Sequence, residues 1–267
     1  MPQKSVFSKR RMYHIFREDA RSLVVALDHG SGLDVYPFLA DPARVLDSVV
    51  ENGADAILTT LGIAQEFFQT FKSVGLIVRV DGGSSQLAKE MQCKLLYSVE
   101  EALRLGADGV ACMGFPGTNL ETETLTNIAT LARECLAWNV PLMAEMVPGG
   151  LVSSQLLTPE NISLSARIGV ELGADFIKTE YVGPPEKFEQ VVENCFRPVL
   201  VLGGARTNDD RSLLTIVKSC IEIGVAGVVM GRSVWRHPRP GAMVRSLAAI
   251  IHQNASVPEA LELLNRN

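Results

Sequence analysis

Hydrophobic and polar positions fall into two kinds of block along this chain. Short, mostly apolar runs at 22–28, 75–80, 140–145 and 198–202 have the character of strands buried on both faces, and each leads into Gly-rich or Pro-containing loop sequence. Longer stretches with helical patterns lie near 42–52, 62–73, 98–105, 121–138, 159–172, 185–194, 208–223 and 240–253, followed by a short tail helix near 257–265. A repeat joins the two kinds. Glu51-Asn-Gly-Ala-Asp-Ala-Ile57, Arg104-Leu-Gly-Ala-Asp-Gly-Val110, Glu171-Leu-Gly-Ala-Asp-Phe-Ile177 and Glu222-Ile-Gly-Val-Ala-Gly-Val228 each read as a helix end, a left-handed glycine and the start of a strand. The glycines fall at 53, 106, 173 and 224, with spacings of 53, 67 and 51. These are about twice the length of one βα unit, so each period holds a second strand. Eight strands alternating with helices predict an α/β fold, a single closed (β/α)8 or TIM barrel. It fills 1–267 as one domain, with a short N-terminal extension over 1–20 and a tail helix over about 256–266. An open doubly wound sheet is the alternative, because strand order is not written in the sequence.

Charge and cysteine usage narrow the function. There are 25 Lys and Arg against 30 Asp and Glu in 267 residues, a net charge of −5, which argues against a nucleic-acid partner that must displace counterions. The five cysteines, Cys93, Cys112, Cys135, Cys195 and Cys220, contain no Cys-x-x-Cys pair and read as free thiols of a cytoplasmic protein. The apolar run at 23–27 stops at Asp28, too short for a signal-peptide core or a membrane span. No membrane partner is expected.

In such barrels chemistry collects at the C-terminal ends of the strands. Gly203-Gly204 after the seventh strand and Gly231-Arg232-Ser233 after the eighth fit a phosphate site built of backbone N–H groups, a helix start and one forked cation; tight turns are the plainer reading of the same glycines. Lys178 shares the period-2 register of Phe176, so both point into the barrel if one does. A lysine held there in neutral form attacks carbonyls, whereas one that leans out pairs with Glu145, Asp28 or solvent. Asp28 and Glu145 end the first and fifth strands and either move protons at that lysine or cap their loops. Of the four histidines only His29 sits at a strand end, as a hydrogen-bonding neighbour. No metal site and no organic cofactor are expected.

Taken together, Ala26-Leu27-Asp28-His29-Gly30, Phe176-Ile177-Lys178-Thr179 followed by Tyr181-Val182-Gly183, Gly203-Gly204 and Gly231-Arg232-Ser233 resemble the DeoC/LacD-type class I aldolases over almost the whole chain. The likeness is to the archaeal-type (DhnA-like) fructose-bisphosphate aldolases and their relatives, the autoinducer-2 phosphate thiolase and the aminodeoxyheptulosonate synthases. The resemblance implies a Schiff base on Lys178, proton transfer or substrate orientation by Asp28, and phosphate held by Gly203, Gly204, Gly231 and Arg232; His29, from its strand-end position, is expected as a substrate-binding neighbour. One segment departs from the pattern. Where the fructose-bisphosphate members carry a Trp-Met-Tyr-Pro-Arg-Gly type sequence, this chain has Glu145-Met146-Val147-Pro148-Gly149-Gly150, so the tyrosine proton donor and an arginine are absent and Glu145 becomes the replacement acid/base. The expected activity is a carbon–carbon lyase of carbohydrate metabolism acting on a phosphorylated keto-sugar or related small phosphorylated ketone, in a homo-oligomer. The alternatives are a thiolase or transaldolase-type transferase of the same family, and a non-catalytic sugar-phosphate-binding relative.

Overall fold

The computed structural model describes residues 7–32, 37–151, 154–203 and 209–266. Among these residues ten strands form: β1 Ser22–Ala26, β2 Ala56–Thr59, β3 Gly75–Arg79, β4 Asp81–Gly83, β5 Cys93–Leu95, β6 Gly109–Gly114, β7 Leu142–Met146, β8 Phe176–Thr179, β9 Val199–Leu202 and β10 Gly227–Met230. Eight of them close a parallel barrel in the order β1-β10-β9-β8-β7-β6-β3-β2. This decides for the closed (β/α)8 barrel over the open sheet. The helices are α1 Met12–Ile15, α2 Pro42–Val50, α3 Leu61–Glu66, α4 Val99–Arg104, α5 Glu121–Trp138, α6 Pro159–Glu171, α7 Pro185–Asn194, α8 Asp210–Glu222, α9 Arg232–Trp235, α10 Pro240–Gln253 and α11 Val257–Asn265.

The glycine repeat works as its chemistry requires. Gly53, Gly106, Gly173 and Gly224 all have positive φ, between 81° and 105°, which ends each helix without a Cβ clash and turns the chain into the next strand. Helix starts are equally local: Ser98 and Ser256 form capping boxes with Glu101 and Glu259, and Thr158 accepts from the Asn161 N–H. The helix expected over 62–73 is broken, with α3 stopping at Glu66 and a 3-10 turn covering Phe68–Ser73.

The strands divide two cores. Val24, Leu58, Ile77, Ala111, Met143, Phe176, Leu200 and Val229 fill the barrel interior, while the alternate residues Val25, Ile57, Val78, Cys112, Ala144, Ile177 and Val201 pack outward against the helices. Burial on both faces is why the strands read as continuous apolar runs. All five cysteines are free and buried.

From Phe7 on, the segment expected as an extension is part of the barrel floor. Phe7, Met12, Ile15 and Phe16 join the interior core, with the Phe16 ring edge-on to Phe176 at 5.3 Å. The aspartates of the repeat anchor this plug: Asp175 pairs with Lys9 at 2.7 Å, Asp108 with His14 at 2.5 Å, and Asp55 with Arg17. Each also accepts a strand N–H, from Leu142, Leu76 and Leu23 respectively. The fourth repeat has Ala226 at this position, and there its carbonyl accepts the Ser22 N–H. A second departure is the antiparallel hairpin of β4 and β5, which rises from the third barrel strand at the opposite end.

Candidate active site

The C-terminal mouth of the barrel opens into a cavity of about 570 Å³ lined by residues from almost every strand end. Phe176 faces the interior core and Lys178 follows it inward, as the period-2 register requires. β7 pairs with β8 so that Glu145 stands directly beside Lys178, and the Glu145 Oε1 is 2.8 Å from the Lys178 Nζ. Lys178 is only 5% exposed.

The centre of the cluster is a residue that strand-end reasoning passes over. Arg79, the last residue of β3, is two positions beyond the inward-facing Ile77 and therefore also points inward. Its guanidinium donates through Nε to Asp28 Oδ2 at 2.6 Å, through one terminal nitrogen to Asp81 Oδ1 at 3.1 Å, and through the other to Glu145. A planar fork of donors suits three converging carboxylates better than an ammonium would. The signal in the sequence is a cation inside an apolar strand run, a residue type that is almost never buried unless paired. Asp81 is a fixed post: its other oxygen accepts from the Met113 N–H at 2.7 Å and from the Cys93 thiol at 3.2 Å.

Electrostatics follows from this packing. Burial opposes ionisation of Asp28, but the nearby Arg79, Lys178 and His29 outweigh it and hold the carboxyl well below the usual aspartate range. Glu145 is likewise lowered, because Lys178 and Arg79 together overcome burial and the repulsion of Asp28. Glu180 lies on the same lip and behaves oppositely: burial and repulsion by Glu145 raise its pKa. His29 is lowered chiefly by burial, its Nδ1 lies 3.6 Å from Asp28 Oδ1, and its ring meets Trp235 edge-on at 5.4 Å. Trp235 in turn donates to the Ala26 carbonyl at 3.1 Å, tying α9 to the end of β1.

The two loops expected to hold an anion reach the same cavity. Gly203, Gly231 and Arg232 line it, and the Ser233 hydroxyl donates to the Gly203 carbonyl at 3.2 Å, binding the two loops together. A Cβ on Gly231 would fall 2.5 Å from His29 and 2.9 Å from the Ala26 carbonyl, so only glycine lets β10 pass so close to β1. Gly204 lies outside the described residues. Val147 is buried among Phe115, Leu120 and Cys93 and does not line the cavity; Glu145 does. Among the described residues no group of three or more His, Cys, Asp or Glu side chains could hold a metal ion, and no helix is long and apolar enough to cross a membrane.

A buried lysine touching a carboxylate, a second carboxylate across a shared arginine, and two glycine-bearing loops with Arg232 at one cavity are groups that can activate an amine and move protons. Comparison with known proteins leads to the same chemistry. Residues 22–237 match the model of the DeoC/LacD family aldolase. The 2-amino-3,7-dideoxy-D-threo-hept-6-ulosonate synthase of Halobacterium salinarum is 33% identical over 91% of this chain and 90% of its own. The class 1 fructose-bisphosphate aldolase of Thermoproteus tenax is 30% identical over 95% and 98%. Among solved structures, a Schiff base-forming fructose-1,6-bisphosphate aldolase superposes with a TM-score of 0.82 at 31% identity, over 91% of this chain and 98% of that one. The chain thus belongs to the DeoC/LacD family of aldolases, as a class I, Schiff-base carbon–carbon lyase.

Proposed function

We propose that Lys178 is the imine-forming residue and that the substrate is a phosphorylated keto-sugar or related small phosphorylated ketone whose phosphate rests on Gly203, Gly204, Gly231 and Arg232, with His29 alongside. The observation that carries this reading is the 2.8 Å contact between Lys178 and Glu145 inside a cavity that also holds Gly203, Gly231 and Arg232. The Lys178 amine, its proton passed to Glu145, bonds to the ketone carbon while the carbonyl oxygen takes up a proton. Loss of that oxygen as water leaves the iminium. The carbon–carbon bond then breaks with its electron pair drawn into the iminium, a base removes the proton of the departing hydroxyl, and an aldehyde leaves. Protonation of the enamine carbon and addition of water return the amine and release the second product. Glu145 is the acid/base nearest the nitrogen. Asp28, held ionised across Arg79, orients the substrate hydroxyls and favours the iminium charge.

The same reading covers 1–267 as a single barrel domain of a cytoplasmic, metal-independent, homo-oligomeric enzyme. Activity that survives chelator and a multimeric elution volume in gel filtration are its expected outcomes. Transfer in place of simple cleavage is the second reading, favoured by the synthase name of the Halobacterium salinarum relative. Borohydride added with dihydroxyacetone phosphate should leave a stable mass adduct on Lys178, and Lys178→Ala should abolish both adduct and turnover. An adduct elsewhere, or activity in that variant, removes the mechanism.

A further inference from the structure

The strand order fixes what lies opposite the phosphate loops. β9 and β10, which carry Gly203 and Gly231, face β3 and β6 across the closed barrel. Lys178 on β8 stands on the wall between them, next but one to β6. A ligand anchored by its phosphate at β9 and β10 and bonded to Lys178 must therefore extend its other end over β3, β6 and the hairpin of β4 and β5. That far wall is mixed: Arg79 and Asp81 lie buried at its base and Ser84, Ser85, Gln86, Lys89 and Glu90 line it from the hairpin, with four apolar side chains between them. Met113 follows the inner face of β6, while Met91 and Leu96 come from the hairpin and Leu151 from the loop after β7; all four line the cavity. Met91, Leu96 and Leu151 are 40%, 50% and 48% exposed, so each has surface to lose on binding. The hairpin is braced over the mouth by the Gln86 N–H donating to the Gly32 carbonyl at 2.8 Å and by Ser84 accepting the Gln92 N–H at 2.7 Å.

Among the described residues, a second anion would find no cation committed to it on this side. Arg79 is already engaged by Asp28, Asp81 and Glu145. Lys89 reaches the cavity rim, but it is exposed and immediately followed by Glu90 on the same rim, which cancels its field. An apolar end would instead cover side chains that solvent now wets.

We propose that the compound made or cleaved here is phosphorylated at one end only and carries an uncharged, alkyl-like group at the other, so that the carbonyl partner released or captured over the hairpin is a short aliphatic aldehyde and not a phosphorylated one. This rests on the Lys178 and phosphate-loop reading above. In the bond-forming direction the enamine carbon bonds to the aldehyde carbon, the aldehyde oxygen takes a proton and becomes the new hydroxyl, and the electron pair of the enamine leaves an iminium that water hydrolyses.

The test uses the full chain with dihydroxyacetone phosphate as donor and ethanal, propanal, butanal or glyceraldehyde 3-phosphate as acceptor, with borohydride trapping run in parallel. We expect the adduct on Lys178, a rise in kcat/KM of about 3- to 4-fold for each added methylene, and a value for glyceraldehyde 3-phosphate at least about 10-fold below that for butanal. Leu96→Arg, at a half-exposed site, should reverse that order. An adduct accompanied by a flat methylene series, or by glyceraldehyde 3-phosphate equal to or better than butanal, overturns this proposal and leaves the Lys178 mechanism standing. Absence of the adduct overturns both.

Discussion

The two ends of the barrel each bury a set of carboxylates, and they treat them differently. At the floor, Asp55, Asp108 and Asp175 each accept a strand N–H and each meet a basic side chain from the N-terminal segment. Every charge has a fixed local partner, and the arrangement locks residues 7–20 under the strands. At the mouth, three carboxylates share the single guanidinium of Arg79, and Lys178 leans on Glu145. Among the described residues only Asp81 also takes a backbone N–H. Among the described residues Asp28 and Glu145 are held by side chains alone, and both face the cavity. Carboxylates pinned by backbone stabilise; carboxylates held only by movable cations can exchange partners with a substrate.

The largest break in that comparison is Glu145→Gln. The amide is nearly isosteric but takes no proton from Lys178, so kcat of the folded enzyme should fall by about 10²- to 10⁴-fold, beyond the stability lost because Arg79 and Lys178 stay buried without this carboxylate. Wild-type activity should also persist into acid: the Glu145 carboxyl is held below its ordinary range, so the ionised form survives as pH falls below about 4 and is lost only beneath that. A pH–kcat profile checks this, and an acid limb at or above the ordinary glutamate value would contradict the assignment.

Arg79→Gln comes next. It leaves Asp28 and Glu145 buried without their shared cation, a loss of about 3–5 kcal/mol for a broken buried pair, read as the urea midpoint at neutral pH. The sign with pH is definite. Both carboxyls have depressed pKa values in the folded state, so their contribution to stability is complete above about 4 and fades as pH falls through the lower folded values. The variant should lose stability at pH 7, show less further loss on acidification, and move the acid limb of kcat upward, because repulsion from Asp28 is no longer offset. Arg79→Lys should restore part of the midpoint. A purely structural Arg79 would lower the midpoint and leave the acid limb where it is.

At the floor the corresponding change separates stability from chemistry. Lys9 is buried, and its ammonium serves both Asp175 and the Val140 carbonyl at 2.7 Å. Lys9→Met keeps the bulk but strands Asp175, which among the described residues retains only the Leu142 N–H, and should cost about 3 kcal/mol. Because the floor lies at the far end of the barrel from Lys178, kcat of the folded enzyme and the borohydride adduct should be unchanged. A fall in kcat matching the loss of stability would mean that the plug shapes the site.

How much of this was legible in the sequence follows from where each partner lies along the chain. The barrel is written locally: a left-handed glycine, an aspartate and an apolar run recur, and each can be recognised within seven residues. Lys178, Asp28, Glu145, Gly203, Gly231 and Arg232 were legible because strand ends define the mouth, and all of them line one cavity. Arg79 was not. It closes an apolar run in which the eye moves on to Asp81 and the glycines, and its meaning depends on Asp28 and Glu145, 51 and 66 positions away. The hairpin was missed because Asp81–Gly83 and Cys93–Leu95 are three residues each, too short for a periodic signal, with loop-like polar sequence between. The floor was missed for the same reason as Arg79: Lys9 looks like one of several N-terminal basic residues until it meets Asp175, 166 positions later.

The smallest expected effect lies within the floor itself and tests whether burial, and not pairing as such, gives these ion pairs their weight. The His14 side chain is 41% exposed where it meets Asp108, whereas that of Lys9 is 10% exposed. Water already screens the first pair and competes for both partners, and Asp108 keeps the Leu76 N–H at 3.0 Å. His14→Gln should therefore cost less than about 1 kcal/mol, a shift in melting temperature of a few degrees at most for a chain of this size, and should leave kcat alone. If His14→Gln destabilises the fold as much as Lys9→Met, desolvation is not what distinguishes the pairs, and the three aspartates act as one cooperative ring in which losing any basic partner loosens the whole plug. A double variant decides between the two: independent pairs give additive losses, since Asp108 and Asp175 have separate partners, whereas a ring gives a combined loss well short of the sum.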